Sequence, residues 1–553
     1  MDLLPSAHVD TFARDHLPPS DQWPHLDGLD GDGDDDRDDR DALGEGPGAD
    51  GGLRYPDRLN CAAELLATGR PDAPCLRLPD GSEWTYAELR ATTARIAHVL
   101  TDELGVVPGN RVLLRGPTTP WLVACWLAVL EAGAVAVTVL AAQRAHELAE
   151  VGRIARVSHA LCDAAFLEEL TAARVPGLRI TPYGGTGDDD LLRLAEGRAE
   201  TYEAVPTSAD DVALIAFTSG TTGHPKGCMH FHRDVLAIAD TFSARVLRPV
   251  PEDVFTGSPP LGFTFGLGGL VVFPLRAGAS SLLLERAGPE ELLAAVEKHR
   301  VSVLFTAPTA YRAMLGDLPS YDVSSLRRCV SAGENLPAAT WMGWHERTGL
   351  RLINGIGATE LLHIFISAAD DAARPGATGL PVPGYTARIV DERLRPVPDG
   401  EPGLLAVRGP TGCRYLADER QTEYVRDGWN LTGDTYVRDA DGYFRYVARA
   451  DDMIISAGYN IAGPEVEEAL LRHPDVREAA VIGVPDEERG QIVRAFVVLH
   501  EGVDGGDRAA GALRDFAKSV IVPYKAPREI RFVPALPRTP TGKLQRFRLR
   551  DLD

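Results

Sequence analysis

Residues 212–227 read Val-Ala-Leu-Ile-Ala-Phe-Thr-Ser-Gly-Thr-Thr-Gly-His-Pro-Lys-Gly. Val212 to Ala216 is a short unbroken apolar run, the pattern of a strand buried on both faces. Thr218, Ser219, Thr221 and Thr222 then supply hydroxyls. Gly220, Gly223 and Gly227 permit positive φ and a close approach of the backbone to a ligand. Lys226 adds a positive charge on a long stem. Backbone N–H groups, hydroxyls and a lysine after a buried strand make a phosphate cradle. It is not a Walker A loop, because no Gly-Lys-Ser/Thr is present and Pro225 precedes the lysine. The competing reading is a flexible Gly/Thr surface loop, against which the number of specific positions weighs.

Outward from this loop, short Val/Ile/Leu runs alternate with amphipathic stretches. The runs include Arg111 to Leu114, Val301 to Phe305 and Ala387 to Val390, and one amphipathic stretch is Pro289 to His299. Such alternation from Leu53 to about residue 450 predicts an α/β domain with largely parallel strands. A smaller α+β unit is expected over 451–553, with strands around Glu478 to Gly483 and Ala495 to Leu499 and helices around Pro464 to Arg472 and Gly511 to Val520. Trp121 to Ala142 is apolar enough to suggest a membrane span. Glu131 and Gly133 interrupt it, and β-branched residues follow, so a buried helix and a buried strand are expected instead.

The chain has 553 residues, 44% of them hydrophobic and 25% charged, a globular composition. Its formal charge of −23 disfavours nucleic acid and anionic lipid as partners. Seven cysteines without a CxxC pair make neither a disulfide framework nor a zinc cage, and free thiols suit a reducing, cytoplasmic location. The first residues lack the basic and apolar segments of a signal peptide. Asp27 to Asp50 holds eleven acidic residues and two arginines, so −9 of the −23 lies there and −14 on the rest. The spaced Asp30, Asp32, Asp34 and Asp36 suggest a calcium loop, but Asp35 stands where the turn needs Gly and Asp41 where Glu is needed. A solvated, disordered linker within an N-terminal segment 1–52 is the expectation.

Four further motifs follow in order: Ile356-Gly-Ala-Thr-Glu360, Leu431-Thr-Gly-Asp434, Arg449 to Asn460, and Pro537-Arg-Thr-Pro-Thr-Gly-Lys-Leu-Gln-Arg546. With the loop at 218–226, this set resembles the adenylate-forming superfamily of acyl- and aryl-CoA synthetases, peptide-synthetase adenylation domains and firefly luciferase. The resemblance implies a large N-terminal α/β domain (53–450) and a small mobile C-terminal domain (451–553). It implies that ATP attacked by a carboxylate gives an acyl-adenylate, with cations and positioned donors offsetting the gathered negative charge.

Residue roles follow from the same resemblance. The loop from Thr218 through Ser219, Gly220, Thr221, Thr222 and Gly223 to Lys226 would hold the β- and γ-phosphates. Glu360 would bind Mg²⁺ and Thr359 would touch the α-phosphate. Asp434 would accept the ribose hydroxyls with help from Arg449. Ser331, Ala332, Gly333 and Glu334 would border adenine, the more so because Ile356 stands where an aromatic residue is common. Lys543 would act in adenylation and then leave as the small domain turns about Asp451, bringing Gly458 and Tyr459 to line a thiol tunnel.

Phe263 to Gly269 and Leu362 to Phe365 resemble the acid pocket of the benzoate–CoA ligase branch, with Gly357 to Ser367 most similar to 2-aminobenzoate–CoA ligases. Phe265, Gly266, Gly333, His363 and Ile364 would line it. Glycines at 266, 268, 269 and 333 are expected to leave room for a flat ring. A satisfied core histidine is the competing reading of His363. His230 and His232 are read as residues of a helix start, not as metal ligands. The acceptor implied is coenzyme A, with a carrier-protein thiol or another nucleophile as the alternative. The string ending in Gly542-Lys543 also resembles targets of lysine acetyltransferases.

Overall fold

The structure, a computed structural model, describes residues 3–29, 52–218, 224–449, 452–456, 459–486, 489–538 and 544–552. The acidic stretch 30–51 and four expected site elements (Ser219 to Gly223, Asp451, Gly458 and Lys543) lie outside the described residues.

Two sheets build the large α/β body. In the first, Arg179–Tyr183, His159–Asp163, Arg111–Arg115, Val135–Thr138 and Val212–Thr218 run parallel in that order, and Lys226–Phe231 closes the edge antiparallel to Val212–Thr218. The second sheet centres on the parallel strands Val254–Gly257, Val303–Thr306, Arg328–Ser331 and Leu352–Gly357. Its Leu352–Gly357 edge turns antiparallel at Ile364–Ser367. The apolar stretch at 121–142 resolves as expected into the helix Pro120–Glu131, a turn with Gly133 at φ 69°, and the strand Val135–Thr138. Pro120 starts the helix where its missing N–H costs nothing, and Thr119 caps it by accepting from the Leu122 N–H.

The expectation of parallel strands up to residue 450 fails for Ala387 to Val390. Thr386–Val390, Gly403–Arg408, Trp429–Arg438 and Phe444–Arg449 form an antiparallel sheet. The connections 391–402 and 439–443 are short and contain no helix, which suits antiparallel pairing. The C-terminal unit is α+β: the long hairpin Val476–Asp486 and Gly490–Leu499, with Glu529–Phe532 parallel to its second strand, carries the helices Gly463–Leu471 and Asp507–Val520. Among the described residues, no helix is long and apolar enough to cross a membrane. All seven cysteines are free and buried.

Residues 3–29 pack onto the large body that the sequence starts near Leu53. Ala13 and Trp23 are buried. Asp10 pairs with Arg111, Ser6 donates to Asp211, and the backbone at residues 25–27 bonds to Gly428 and Gly409 at the edge of the antiparallel sheet. Trp23 lies 5.9 Å from the Phe231 ring and donates its indole N–H to the Pro18 carbonyl. Leu53 N–H donates to the Gly28 carbonyl at 2.7 Å, so the chain returns beside the point at which the acidic stretch begins.

Two truncations should therefore behave oppositely. Replacing residues 30–51 by a short Gly/Ser turn should leave the melting temperature and turnover essentially unchanged. Trp23→Ala should cost about 3–5 kcal/mol and lower the melting temperature by several degrees. Thermal melts of both variants check this; a large loss in the first would make the acidic stretch part of the fold.

Candidate active site

The site is assembled where the first parallel sheet, the edge of the second and the antiparallel sheet meet. Thr218 and Lys226 face each other across the hairpin stem that flanks the phosphate-type loop. Thr218 Oγ1 is buried without a partner, as is Ser331 Oγ at the end of its strand. Each is a buried hydroxyl at a strand end that has no partner among the described residues, a position where a polar ligand would supply one.

Opposite Lys226, the strand Leu352–Gly357 runs into the 3-10 turn Thr359–Leu361. Leu362 exits that turn at φ 69°, unusual for a leucine and a place where strain is stored. The turn is held by two neighbours. His230 Nε2 bonds the Thr359 carbonyl at 2.8 Å, and the Thr411 hydroxyl donates to the Leu361 carbonyl at 2.8 Å. His230 is therefore a strand residue of Lys226–Phe231, not part of a helix start; only His232 begins a helix, His232–Ile238. Burial pushes His230 down to about 4, so the ring is neutral at pH 7 and its Nε2–H donates to that carbonyl.

Lys226 Nζ stands 3.8 Å from Glu360 Oε1, and the Tyr415 hydroxyl lies between them. Asp434 and Arg449 are direct cross-strand partners, with Nη1 and Oδ1 3.1 Å apart. Gly333 takes φ 91° after Ser331 and Ala332. Glu334 accepts from Arg538 at 2.9 Å, and Arg538 pairs through its backbone with Leu544. The residues on either side of the Lys543 turn are thus anchored beside Ser331 to Glu334, and Lys543 itself lies outside the described residues. Tyr459 is 53% exposed and stacks on Tyr524, with ring centroids 4.6 Å apart on the small domain.

His363 is buried in a cage of rings. Its centroid lies 4.6 Å from Phe273 and 5.6 Å from both Phe242 and Phe265. Among the described residues neither ring nitrogen makes a well-formed hydrogen bond, and the polar group that acts on the ring is the Phe265 backbone. Ile364 is buried against Gly355. Three of the four glycines expected to make room for a ring, Gly266, Gly268 and Gly269, are packed against protein. A Cβ at Gly266 would overlap the Pro260 carbonyl oxygen, one at Gly268 the His363 ring, and one at Gly269 the Phe305 ring. Only missing side-chain atoms allow the segment Thr264–Leu267 and the turn after it to lie this close to its neighbours.

The buried Glu360 carboxylate has the chemistry of a hard oxygen ligand, the kind Mg²⁺ takes. No group of three or more His, Cys, Asp or Glu that could hold a metal is present among the described residues. A single buried carboxylate suits Mg²⁺, which is typically bound by one or two carboxylates plus substrate phosphates rather than by a protein cage. Sequence reasoning missed three residues here. His230 was set aside for want of a third metal ligand, Arg538 carried no role within its motif, and Tyr415 belongs to no recognised pattern.

Residues 64–415 match the family model described as AMP-binding enzyme, and residues 465–543 match its C-terminal domain. The chain is 35% identical to the benzoate–CoA ligase of Thauera aromatica over 90% of its own length and 97% of that ligase. Among solved structures, an anthranilate CoA ligase in complex with anthranoyl-AMP superposes with a TM-score of 0.86 at 34% identity, covering 90% of this chain and 98% of that one. A benzoate CoA ligase from Burkholderia xenovorans LB400 gives 0.81 at 32% identity, covering 89% and 100%.

Burial also pushes His363 and His232 down to about 3 from 6.5. Their folded-state values lie below the unfolded ones, so unfolding takes up protons between about pH 6.5 and pH 3, and stability falls as the pH drops through that window. His363→Gln removes one such group. Its melting temperature should therefore fall less steeply than that of the unaltered protein between pH 7 and pH 5. Parallel melting curves would mean that His363 does not titrate on unfolding.

Proposed function

The chain belongs to the AMP-binding enzyme family, within its benzoate–CoA ligase branch, and on that premise we propose that it activates an aromatic carboxylic acid with ATP and transfers the acyl group to coenzyme A. The products are the aryl-CoA thioester, AMP and pyrophosphate, and 2-aminobenzoate or benzoate is the preferred acid. The observation that carries this reading is the convergence of Lys226 and Glu360, 3.8 Å apart and contributed by different sheets. A triphosphate needs a cation on one side and a metal-binding carboxylate on the other.

In this reading the loop from Thr218 to Lys226 receives the β- and γ-phosphates. Thr359 meets the α-phosphate from a turn whose carbonyl is held by His230. Glu360 would hold Mg²⁺, which when bound neutralises phosphate charge as the leaving group departs. The Asp434 carboxylate accepts the ribose hydroxyls and Arg449 keeps it oriented. Ser331 to Glu334 border adenine. Phe265, His363 and Ile364 give an apolar wall with one polar edge, which favours an aromatic ring carrying a small hydrogen-bonding substituent. The same reading makes Lys543 the adenylation lysine, Asp451 the hinge, and Gly458 and Tyr459 a thiol-tunnel lining that arrives for the second step. Acetylation of Lys543 would remove its charge and stop the first step.

ATP–pyrophosphate exchange with a panel of acids tests the proposal, followed by CoA thioester formation. Benzoates should outperform fatty acids; the reverse order refutes the aromatic pocket. Exchange without thioester formation would favour a carrier-protein thiol or another nucleophile as acceptor. Lys543→Ala should slow exchange by about 10²–10³-fold, the cost of one positioned electrostatic donor. It should leave thioester formation from synthetic aryl-adenylate much less affected, and equal losses in the two steps would refute the hinge assignment.

A further inference from the structure

Tyr415 joins two groups that arrive from different sheets. Its hydroxyl accepts a hydrogen bond from Lys226 Nζ at 2.7 Å and donates one to Glu360 Oε1 at 2.6 Å. An ammonium can only donate and a carboxylate can only accept, so the direction of both bonds is set.

The hydroxyl has little freedom to leave this position. Tyr415 is fully buried, and its backbone bridges Cys228 on the strand that carries Lys226. The Met229 N–H donates to the Arg414 carbonyl and the Leu416 N–H to the Gly227 carbonyl, both at 2.8 Å. The Tyr415 N–H donates to Gln421 Oε1 at 2.9 Å, and Tyr424 meets the ring edge-on with centroids 5.8 Å apart.

Two consequences follow. Among the described residues, contacts to the Glu360 carboxylate fall on Oε1, which leaves Oε2 for a cation. The phenol also stands as a spacer. Without it, Lys226 and Glu360 would close from 3.8 Å to hydrogen-bonding distance, and that tighter pair would have to be opened before nucleotide could bind. A lysine side chain carries about 2 kcal/mol of rotamer entropy, and ordering it before binding removes part of that cost from the binding step.

We propose that Tyr415 is a positioning residue for adenylation, whose hydroxyl orients Glu360 toward a divalent cation and holds Lys226 ready for the phosphates. The proposal rests on the reading of Lys226 and Glu360 given above. Its test is Tyr415→Phe, which keeps the ring and the packing and removes only the hydroxyl. Three measurements are needed: ATP binding against Mg²⁺ concentration with no acid present, pyrophosphate exchange, and thioester formation from synthetic aryl-adenylate. The Mg²⁺ concentration required for ATP binding should rise about tenfold and exchange should slow by about 10–100-fold, the worth of one hydrogen bond to a charged group. The thioester step should be unchanged. In a Glu360→Gln background, Tyr415→Phe should add little to the Mg²⁺ requirement, because the two residues act as a unit. An unaltered Mg²⁺ requirement, or equal losses in both half-reactions, overturns the proposal and makes Tyr415 a structural residue. If no acid supports exchange in the unaltered protein, the reading of the reaction fails, while Mg²⁺-dependent ATP binding still decides the role of Tyr415.

Discussion

The site depends on a backbone splice between segments far apart in the chain. Arg414, Tyr415 and Leu416 pair with the strand Lys226–Phe231 through Met229 and Gly227, which fastens the segment between the antiparallel strands to the edge of the parallel sheet. An ion pair buried on both sides clamps it: Arg414 Nη1 meets Asp234 Oδ2 at 2.9 Å. The same Asp234 oxygen accepts the Phe231 N–H at 3.0 Å and so caps the helix His232–Ile238. The Arg414 guanidinium lies over the Phe231 ring at 4.1 Å and near Trp23 at 5.0 Å. Such a pair adds little net stability against an apolar replacement, but losing one partner leaves an uncompensated charge at about 3–5 kcal/mol. It therefore acts as a register device, because only one alignment of the two segments satisfies both charges.

From that register the polar groups of the site follow. Lys226 starts the spliced strand, His230 lies near its end, and Tyr415 faces it. The turn carrying Thr359 and Glu360 is then received by His230 and Tyr415 together. The N-terminal segment covers this junction from outside, with Trp23 beside Phe231 and the Gln421 side chain donating to the Gln22 carbonyl. Gln421 also receives the Tyr415 N–H. A segment that the sequence sets apart from the folded body thus supports the residues that hold the site.

Legibility in the sequence varied with the range of the interaction. The helix Pro289–His299 and the break at Gly133 were readable because proline starts, capping and the switch from helical to branched residues act within a few positions. The antiparallel sheet around Ala387 was misread because a run of branched residues says that a strand is buried, not which neighbour it pairs with. The glycines at 266, 268 and 269 were read as ligand space. A glycine's absent side chain can be filled by protein as readily as by substrate, and here Pro260, His363 and Phe305 fill it.

By itself the sequence determined the chemical vocabulary: a glycine- and hydroxyl-rich loop with Lys226 after a buried strand, an acidic residue at 360, an Asp434 and Arg449 pair, and the order of two domains. These are legible because each motif is local, and the resemblance to a family attaches expected phosphate, metal and ribose roles to them. Only the tertiary structure decided that Tyr415 stands between Lys226 and Glu360, that His230 carries the Thr359 turn, and that Arg538 ties the C-terminal unit to Glu334. Tyrosine, histidine and arginine at those positions are compatible with many environments. Their partners lie 55 to 204 residues away in the chain, and a hydrogen bond forms from proximity in space, which packing of the sheets supplies and spacing along the chain does not.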